Sequence, residues 1–480
     1  MTLKCYGIRN FSENGKKIIY IQYNRKKYMV RILIAGAGHG GIIAGTILAK
    51  NKYDVIIFEK QREEDLGYPW YDDVFKRIFD ELGISLDSIQ FHPKDNIRFY
   101  SPNLQHTIEL NLPESKREIA IHRKDLYKLL LKEAKEAGVT FHFEEEVVEP
   151  IVENSQIKGI KTTKGVYYGD LIIDALGLNS VLKSLLSKSF NLPHELKKGR
   201  VFYTYRAYFN FVGEIPTAKN FNVYFKFNGI NGIAWYRFED GDADVLLGSI
   251  EPLTDKQIVY YIAKMRTIQP TLGTELKHGG FLVKIPISHT PYQIVLDNYA
   301  CVGDSAFMTM PMMGSGIELA MLAGKKLAEA IIEFDNDENL KPEREKGYPI
   351  KFLWEHYQVP YFLQHGSQMA SVDYLKNFML AAKLKELDFL FEKQIITAKD
   401  MEKTIADGGE VDMEFFDLLS RIIRGFSRID LLLSLKINID TMKEVKAIAK
   451  KIPKNYDPIV IEKWGKKYEK ILAEMEDQIK

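Results

Sequence analysis

The polarity pattern of the chain changes character along its length. Val30–Ala35 (VRILIA) and Asp54–Phe58 (DVIIF) are short, solidly apolar runs of the kind taken by strands buried on both faces. A helix-period segment running to Lys50 separates them. Asp170–Asp174 (DLIID) and Tyr299–Val302 (YACV) repeat the strand signature. The segment Ile121–Leu126 begins a helix read as far as Ala137, and another helix runs from Glu318 to Phe334. From Arg200 to Ile287 the texture differs. VFYTYRAYFNFVG, NFNVYFKFNG and ADVLLGSI alternate or run apolar between glycine and Asp-Gly turns, which predicts an antiparallel β-sheet. A strand pair within residues 97–112 is expected to join it. Asp335–Lys351 is charged, carries Asn336, Asn339, Pro342 and Pro349, and reads as a linker. Residues 352–480 read as a helical region, where Phe415–Leu435 carries an apolar stripe in need of a partner surface. The expected class is α/β. A discontinuous nucleotide-type domain (30–189 and 299–334) accompanies a β-sheet domain (200–287) and the C-terminal helices (352–480).

The turn after the first strand sharpens this expectation. Gly36-Ala-Gly38-His-Gly40-Gly41 fits G-x-G-x-x-G between a strand and a helix, and the second strand ends at Glu59, 18 residues past Gly41. In a Rossmann unit the first glycine allows the tight turn and the second lets backbone approach a pyrophosphate. The third lets helix and strand pack closely, and the acid holds a ribose. The helix start supplies free N–H groups and the positive end of the dipole. The same pattern explains why Ile32–Ala49, though free of Asp, Glu, Lys and Arg, is not a membrane span: five glycines would spoil an apolar helix. His39 is expected to be a solvent-facing turn residue.

Composition changes little. The 480 residues carry 66 basic and 65 acidic side chains, a balance that gives no reason to expect nucleic acid or an anionic surface as partner. Cys5 and Cys301 are far apart and lack metal spacing, so no disulfide framework or metal site is expected, and a reducing, cytoplasmic setting is. Residues 1–29 read as a basic leader outside the fold, with seven basic side chains before Met29 against Glu13 alone. The leader is either an arm or sequence upstream of a start at Met29.

Three later segments resemble those of flavoproteins. Ile121-His-Arg123-Lys-Asp-Leu126 resembles the helix start whose arginine contacts FAD in flavin hydroxylases and geranylgeranyl reductases. Asp174-Ala-Leu-Gly177-Leu-Asn-Ser180 is similar to the reductases' Ala-x-Gly-x-Ser turn. Gly303-Asp304, with Pro311 and Gly314-Ser-Gly316-Ile317 before a helix, resembles the second FAD fingerprint. In order and spacing, from about Val30 to Leu472, the chain resembles the archaeal geranylgeranyl reductase family, FAD enzymes that saturate C=C bonds of isoprenoid lipids. The resemblance implies a Rossmann-type FAD-binding domain roofed by the substrate sheet, with Gly36, Gly38, Gly40, Gly41, Glu59, Arg123, Val147, Asp304, Gly314, Gly316 and Ile317 as cofactor-binding residues. It implies a prenyl or isoprenoid lipid substrate, an electron donor that the sequence does not identify, and peripheral contact with a membrane surface.

Two departures fall on the substrate side. The family's Pro-Cys-Gly is here Pro69-Trp70-Tyr71, followed by Asp72 and Asp73. Its Tyr-x-Trp-x-Phe-Pro is here Ile233-Ala-Trp235-Tyr236-Arg237-Phe238. If the likeness extends that far, Trp70 and Trp235 face one cavity beside the flavin, and a ring in place of a thiol predicts shorter or thinner substrates. Trp70, Tyr71, Asp72 and Trp235 are the candidate catalytic residues, with Asp73 and Tyr236 as further candidate proton donors. Met308, Met310, Met312 and Met313 either line a channel for a flexible chain or pack as core under the helix. An aromatic hydroxylase, or a flavin-bound protein without turnover, remains the alternative.

Overall fold

The computed structural model describes residues 7–13, 16–22, 29–94, 96–190, 192–193, 196, 199–216, 220–311, 314–340, 342, 347–366, 382–406, 417–418, 421 and 443–477. From Met29 the chain runs through strand β1 (Arg31–Ala35), helix α1 (His39–Lys50) and strand β2 (Asp54–Phe58). Strand β3 (Tyr71–Phe75) and the hairpin β4 (Asn96–Tyr100) and β5 (Thr107–Asn111) follow. Helix α2 (Arg123–Ala137), strand β6 (Leu171–Asp174) and helix α3 (Val181–Phe190) come next. Then come the long strands β7 (Val201–Phe211), β8 (Asn220–Phe225), β9 (Gly232–Glu239) and β10 (Asp242–Ser249), helix α4 (Asp255–Ile268) and strand β11 (Leu272–Pro286). Strand β12 (Tyr299–Cys301) and helix α5 (Ile317–Asn336) return to the first unit.

β1 lies between β2 and β6, and β12 pairs with β6. All four are parallel, as are Thr140–His142 against β2, and an antiparallel pair, Val295–Leu296, closes the other edge. Ile32, Leu33, Ile34, Leu171, Ile172 and Ile173 are fully buried, as expected of a parallel sheet covered on both faces.

The second sheet has the order β11-β7-β10-β9-β8-β4-β5. The hairpin β4–β5 enters through a parallel contact of β4 with β8, so the sheet is mixed rather than purely antiparallel. Residue alternation sorts its two faces. Ala207, Phe209, Ala234, Tyr236, Val245 and Leu247 join Ile258, Ile262 and Met265 of α4 in one core, while the other face turns toward the nucleotide-type unit. Helix α4 interrupts a region that reads as strand-rich. Its start is fixed by a capping box between Thr254 and Gln257.

The structure bears on three other expectations. Within the leader, Gly7–Glu13 and Lys16–Gln22 pair as antiparallel strands. The end of the charged linker packs inward: Tyr348 is buried, its N–H donates to Asn298 Oδ1 at 2.7 Å, and its hydroxyl donates to Asp335 at 2.6 Å. The apolar stripe Phe415–Leu435 lies, apart from residues 417, 418 and 421, outside the described residues. What is described of the C-terminal region is helical. Trp354 donates to Pro453 O at 2.8 Å, and Phe362 packs on Trp464 and Tyr468 of the last helix, Pro458–Asp477.

Candidate functional site

The glycine turn is pressed against the end of β6. Gly36 has φ +88°, and a Cβ there or at Gly38 would lie 2.7 or 2.9 Å from Ala175 O; at Gly41 it would lie 2.8 Å from Ala175 Cβ. Only a chain without side chains at these points can bring the start of α1 this close to the sheet. No side chain caps that start, so its first N–H groups are left to an anion. Glu59 stands beside the turn, accepting from Ala37 N and Gln61 N, each at 2.9 Å. Gly40 has a further task. A Cβ on it would reach 2.6 Å from Ala320 O, and one on Gly324 would reach 2.1 Å from Gly40 O, so α1 and α5 cross backbone to backbone.

That crossing brings the second glycine segment to the first. α5 also starts without a side-chain cap, at Gly316. A Cβ on Gly316 would sit 3.3 Å from Asp304 Oδ1, which accepts from Thr309 at 3.0 Å. Burial pushes the Asp304 carboxyl up, against the Thr309 hydrogen bond and the charges of Arg123 and Lys183. Gly314 takes φ +67°, and Ile317 is the first residue of α5. Met308 is fully buried, with its sulfur accepting from Gly303 N, so it packs as core; Met310 is half-buried, and Met312 and Met313 lie outside the described residues.

Arg123 sits between the two halves. Its N–H donates to Trp70 O at 2.9 Å, and its guanidinium grips Asp72 with both nitrogens, one at 2.8 Å, beneath the Tyr68 ring at 4.9 Å. His39 departs from expectation: it is buried, not solvent-facing, with its ring 4.6 Å from that of Tyr127. Burial, with help from the Arg123 charge, lowers it to about 3, so it is neutral. Val147 begins the strand Val147–Glu153, just past Glu145, whose N–H donates to Glu59 O at 2.8 Å. Lys183, which the sequence reading passed over, donates to Ser305 O at 2.6 Å with its ammonium 3.7 Å from the Phe307 ring; it ties α3 to the second segment.

The sheet face above this cleft has registered rows. Ile285, paired with Phe202, would lie 3.9 Å from a Cβ on Gly314, which places that end of the face over the second segment. The next rows run Ile233–Gly248–Thr204–Val283, then Trp235–Leu246–Arg206–Phe281, then Arg237–Asp244–Tyr208–His278. Trp70 and Trp235 do converge, but on a side chain the sequence did not single out: the Arg206 guanidinium lies 5.6 Å from one ring and 5.1 Å from the other. Trp70 is itself buried and stacks on Tyr68 at 4.5 Å.

The last row is an ionic lattice. Arg206 forks onto Asp244 at 3.0 and 2.6 Å, and Arg237 reaches Asp244 and Asp73, both at 2.9 Å, and Glu239 at 3.2 Å. Lys94 holds Asp73 at 3.0 Å and Glu118 at 2.9 Å. Arg237 and Lys94 hold the Asp73 carboxyl well below the usual carboxylate range despite burial, which removes it as a proton donor at neutral pH. Asp72 is committed to Arg123. Tyr71 donates to Asp240 at 2.9 Å, and burial raises its hydroxyl. Tyr236 faces the α4 core and bonds Thr271 at 2.5 Å, so it does not reach the cleft. Among the described residues no His, Cys, Asp and Glu cluster could hold a metal. The signal that could have exposed the lattice was the presence of Arg206, Arg237 and Asp244 at inward positions of strands.

No family model matches the chain. It is 23% identical over 464 residues to the digeranylgeranylglycerophospholipid reductase of Sulfolobus acidocaldarius, covering 94% of this chain and 98% of that one. Among solved structures it resembles a geranylgeranyl bacteriochlorophyll reductase-like protein of Thermoplasma acidophilum, with TM-score 0.68 and 18% identity over 85% of this chain and all of that one. It also resembles a flavin-dependent brominase, with TM-score 0.60 and 15% identity over 82% and 98%. The fold is that of flavin-dependent oxidoreductases with a Rossmann-type nucleotide unit. Within that class, the chain is similar over nearly its whole length to digeranylgeranylglycerophospholipid reductase and to a geranylgeranyl reductase-like fold.

Proposed function

We infer that the chain is an FAD-dependent reductase of C=C bonds in an isoprenoid or prenyl lipid, working in peripheral contact with a membrane. The observation that carries this reading is the meeting of two uncapped helix starts, α1 and α5, at a backbone contact under a sheet face whose nearest rows are apolar. The glycines fit an FAD site: without side chains at Gly36, Gly38 and Gly316 the turn packs against Ala175 and the start of α5 against Thr309, which brings the two uncapped helix starts together. The N–H groups of α1 would hold the diphosphate, Glu59 the ribose, and Asp304 with the start of α5 the far half. Reduced FAD would supply a hydride. An isolated alkene has no carbonyl to polarise, so the protein's part is orientation and exclusion of water. Phe202, Ile233, Val283 and Ile285 serve that part.

The hydroxylase alternative draws no support from Arg237. Its charge is spent on Asp73, Glu239 and Asp244 and is not offered to an acidic substrate. An anaerobic stopped-flow experiment tests the reading. Photoreduced protein mixed with a geranylgeranyl lipid in detergent should regain the oxidised flavin spectrum with a saturated product. Inertness to prenyl lipids, with a hydroperoxyflavin formed in oxygen and an aromatic acid consumed, would replace it by the alternative.

A further inference from the structure

Large apolar side chains exposed singly are ordinary on a protein surface, but a contiguous group is not. Six such residues lie on or beside one edge of the large sheet: Tyr68, Val212, Ile215, Leu276, Phe281 and Leu282, each between 38% and 69% exposed. Tyr68 and Phe281 touch ring to ring at 5.9 Å. Leu276 lies against Gly280, 2.9 Å from where a Cβ would stand, and is registered opposite Phe209 on β7. Val212 and Ile215 continue β7, where Val212 N donates to Thr271 O at 2.9 Å. Among the described residues β11 is the outermost strand of the sheet.

We propose that this edge is the surface that rests on a lipid bilayer and through which the lipid substrate enters. The inference rests on the reading of the chain as a prenyl-lipid reductase and adds the place of membrane contact. Continuity argues for it. Phe281 is 5.2 Å from Trp70 and shares a sheet row with Arg206 and Trp235, so the edge strand joins the aromatic row above the flavin segments through Phe281, while Leu276 and Leu282, opposite Phe209 and Tyr205, border it on the α4 face. A prenyl chain following that path keeps its apolar surface out of water. Among the described residues no helix is long and apolar enough to cross a membrane, so contact has to be made by a surface.

The edge is also poorly suited to the obvious rival, a second copy of the chain adding a strand. Its pairing with β7 has three register shifts, and Gly279 and Gly280 take φ +75° and +81°. Such an irregular edge, with Lys277 in it, is of the kind that blocks strand addition.

The test uses the full-length holoprotein and phosphatidylcholine vesicles, whose neutral surface isolates the apolar contribution. Wild type should float with vesicles on a density gradient, at high as at low salt. The double variant Leu276→Asp/Leu282→Asp should lose at least tenfold in vesicle affinity while keeping its flavin spectrum and its reoxidation by detergent-dispersed prenyl lipid. Ile459→Asp, a change at a still more exposed position on the last helix, should float like wild type. Failure of wild type to float, or flotation of the double variant at wild-type affinity, overturns the proposal. So does a dimer seen by sedimentation velocity that the double variant abolishes while vesicle binding is unchanged. Vesicle binding that the double variant removes, in a protein inert to every prenyl lipid, would leave the surface standing and remove the reductase reading instead.

Discussion

Arg237 and Asp73, 164 positions apart in sequence, meet at 2.9 Å. Each belongs to a segment that departs from the family's pattern: Arg237 stands where that pattern has an aromatic, and Asp73 follows the altered Pro69-Trp70-Tyr71. The two departures are therefore one structural change, in which a buried ionic lattice occupies a row of the substrate-facing sheet.

Breaking that lattice from one side should be severe. Arg237→Phe restores the family residue type but strands Asp73, Asp244 and Glu239 in a buried site. Removing one partner of a buried pair destabilises by about 3–5 kcal/mol. Urea unfolding of the holoprotein should show a loss of that size, and Asp73→Ala/Arg237→Phe should be less damaging than the sum of its single changes. A loss of less than about 1 kcal/mol for Arg237→Phe would mean that solvent reaches the lattice.

What the sequence disclosed and what it hid follow one physical rule. The glycine turn, Glu59 beside it and the second glycine segment at Gly303–Ile317 are legible because each arrangement is built from residues close in the chain. The lattice was not, because a charged residue on an alternating strand discloses its partner only after the strands are registered. His39 reads as a turn residue until Tyr127, from another helix, covers it. Helix α4 was different: Thr254 and Gln257 spell its capping box, and the apolar spacing of Ile258, Ile262 and Met265 was present in a region dominated by strand signals.

His39 predicts a pH dependence. It titrates at about 3 in the folded protein against 6.5 for the free side chain. The unfolded chain therefore binds an extra proton between those values, so stability is complete above about pH 6.5 and falls as the pH is lowered toward 3. His39→Gln should flatten the drop in urea midpoint between pH 7.5 and pH 5. An unchanged slope in the variant would assign the acid sensitivity to other groups.

The α1–α5 crossing sets apart two glycines that look alike in sequence. A Cβ on Gly324 would lie 2.1 Å from Gly40 O, whereas one on Gly314 has only Ile285 nearby, at 3.9 Å. Gly324→Ala must push the helices apart and with them the two flavin segments. It should lower bound flavin several-fold and destabilise by roughly 2 kcal/mol or more, in the range of overpacked cores. Gly314→Ala should cost only the strain of positive φ, on the order of 1 kcal/mol. The flavin-to-protein absorbance ratio after gel filtration measures the difference.

Glu59 accepts from one backbone N–H of the glycine turn, that of Ala37, and from the N–H of Gln61. Hydrogen bonds to a charged group contribute about 1.5–3 kcal/mol. Glu59→Ala should therefore raise the flavin dissociation constant by roughly tenfold to a hundredfold, measured by fluorescence on reconstitution. Glu59→Gln should fall between the two. Retention of wild-type affinity by the alanine variant would remove Glu59 from the site.

Trp70 separates the exposed aromatic edge from the inner row. It stacks on Tyr68 at 4.5 Å, meets Phe281 at 5.2 Å, and covers Arg206 together with Trp235. Trp70→Cys returns the residue type of the family and removes an indole from a buried position, which should destabilise by about 3–5 kcal/mol. It also opens the gap between Phe281 and Trp235. Arg206 keeps its fork on Asp244 in the variant, so the lattice should persist and flavin should remain bound. The expected result is a lower melting temperature together with faster flavin reoxidation by longer or bulkier prenyl lipids, while short prenyl alcohols react as with wild type. A variant equally destabilised but with an unaltered range of lipids would show that Trp70 only fills the core, and that chain length is limited elsewhere along the sheet.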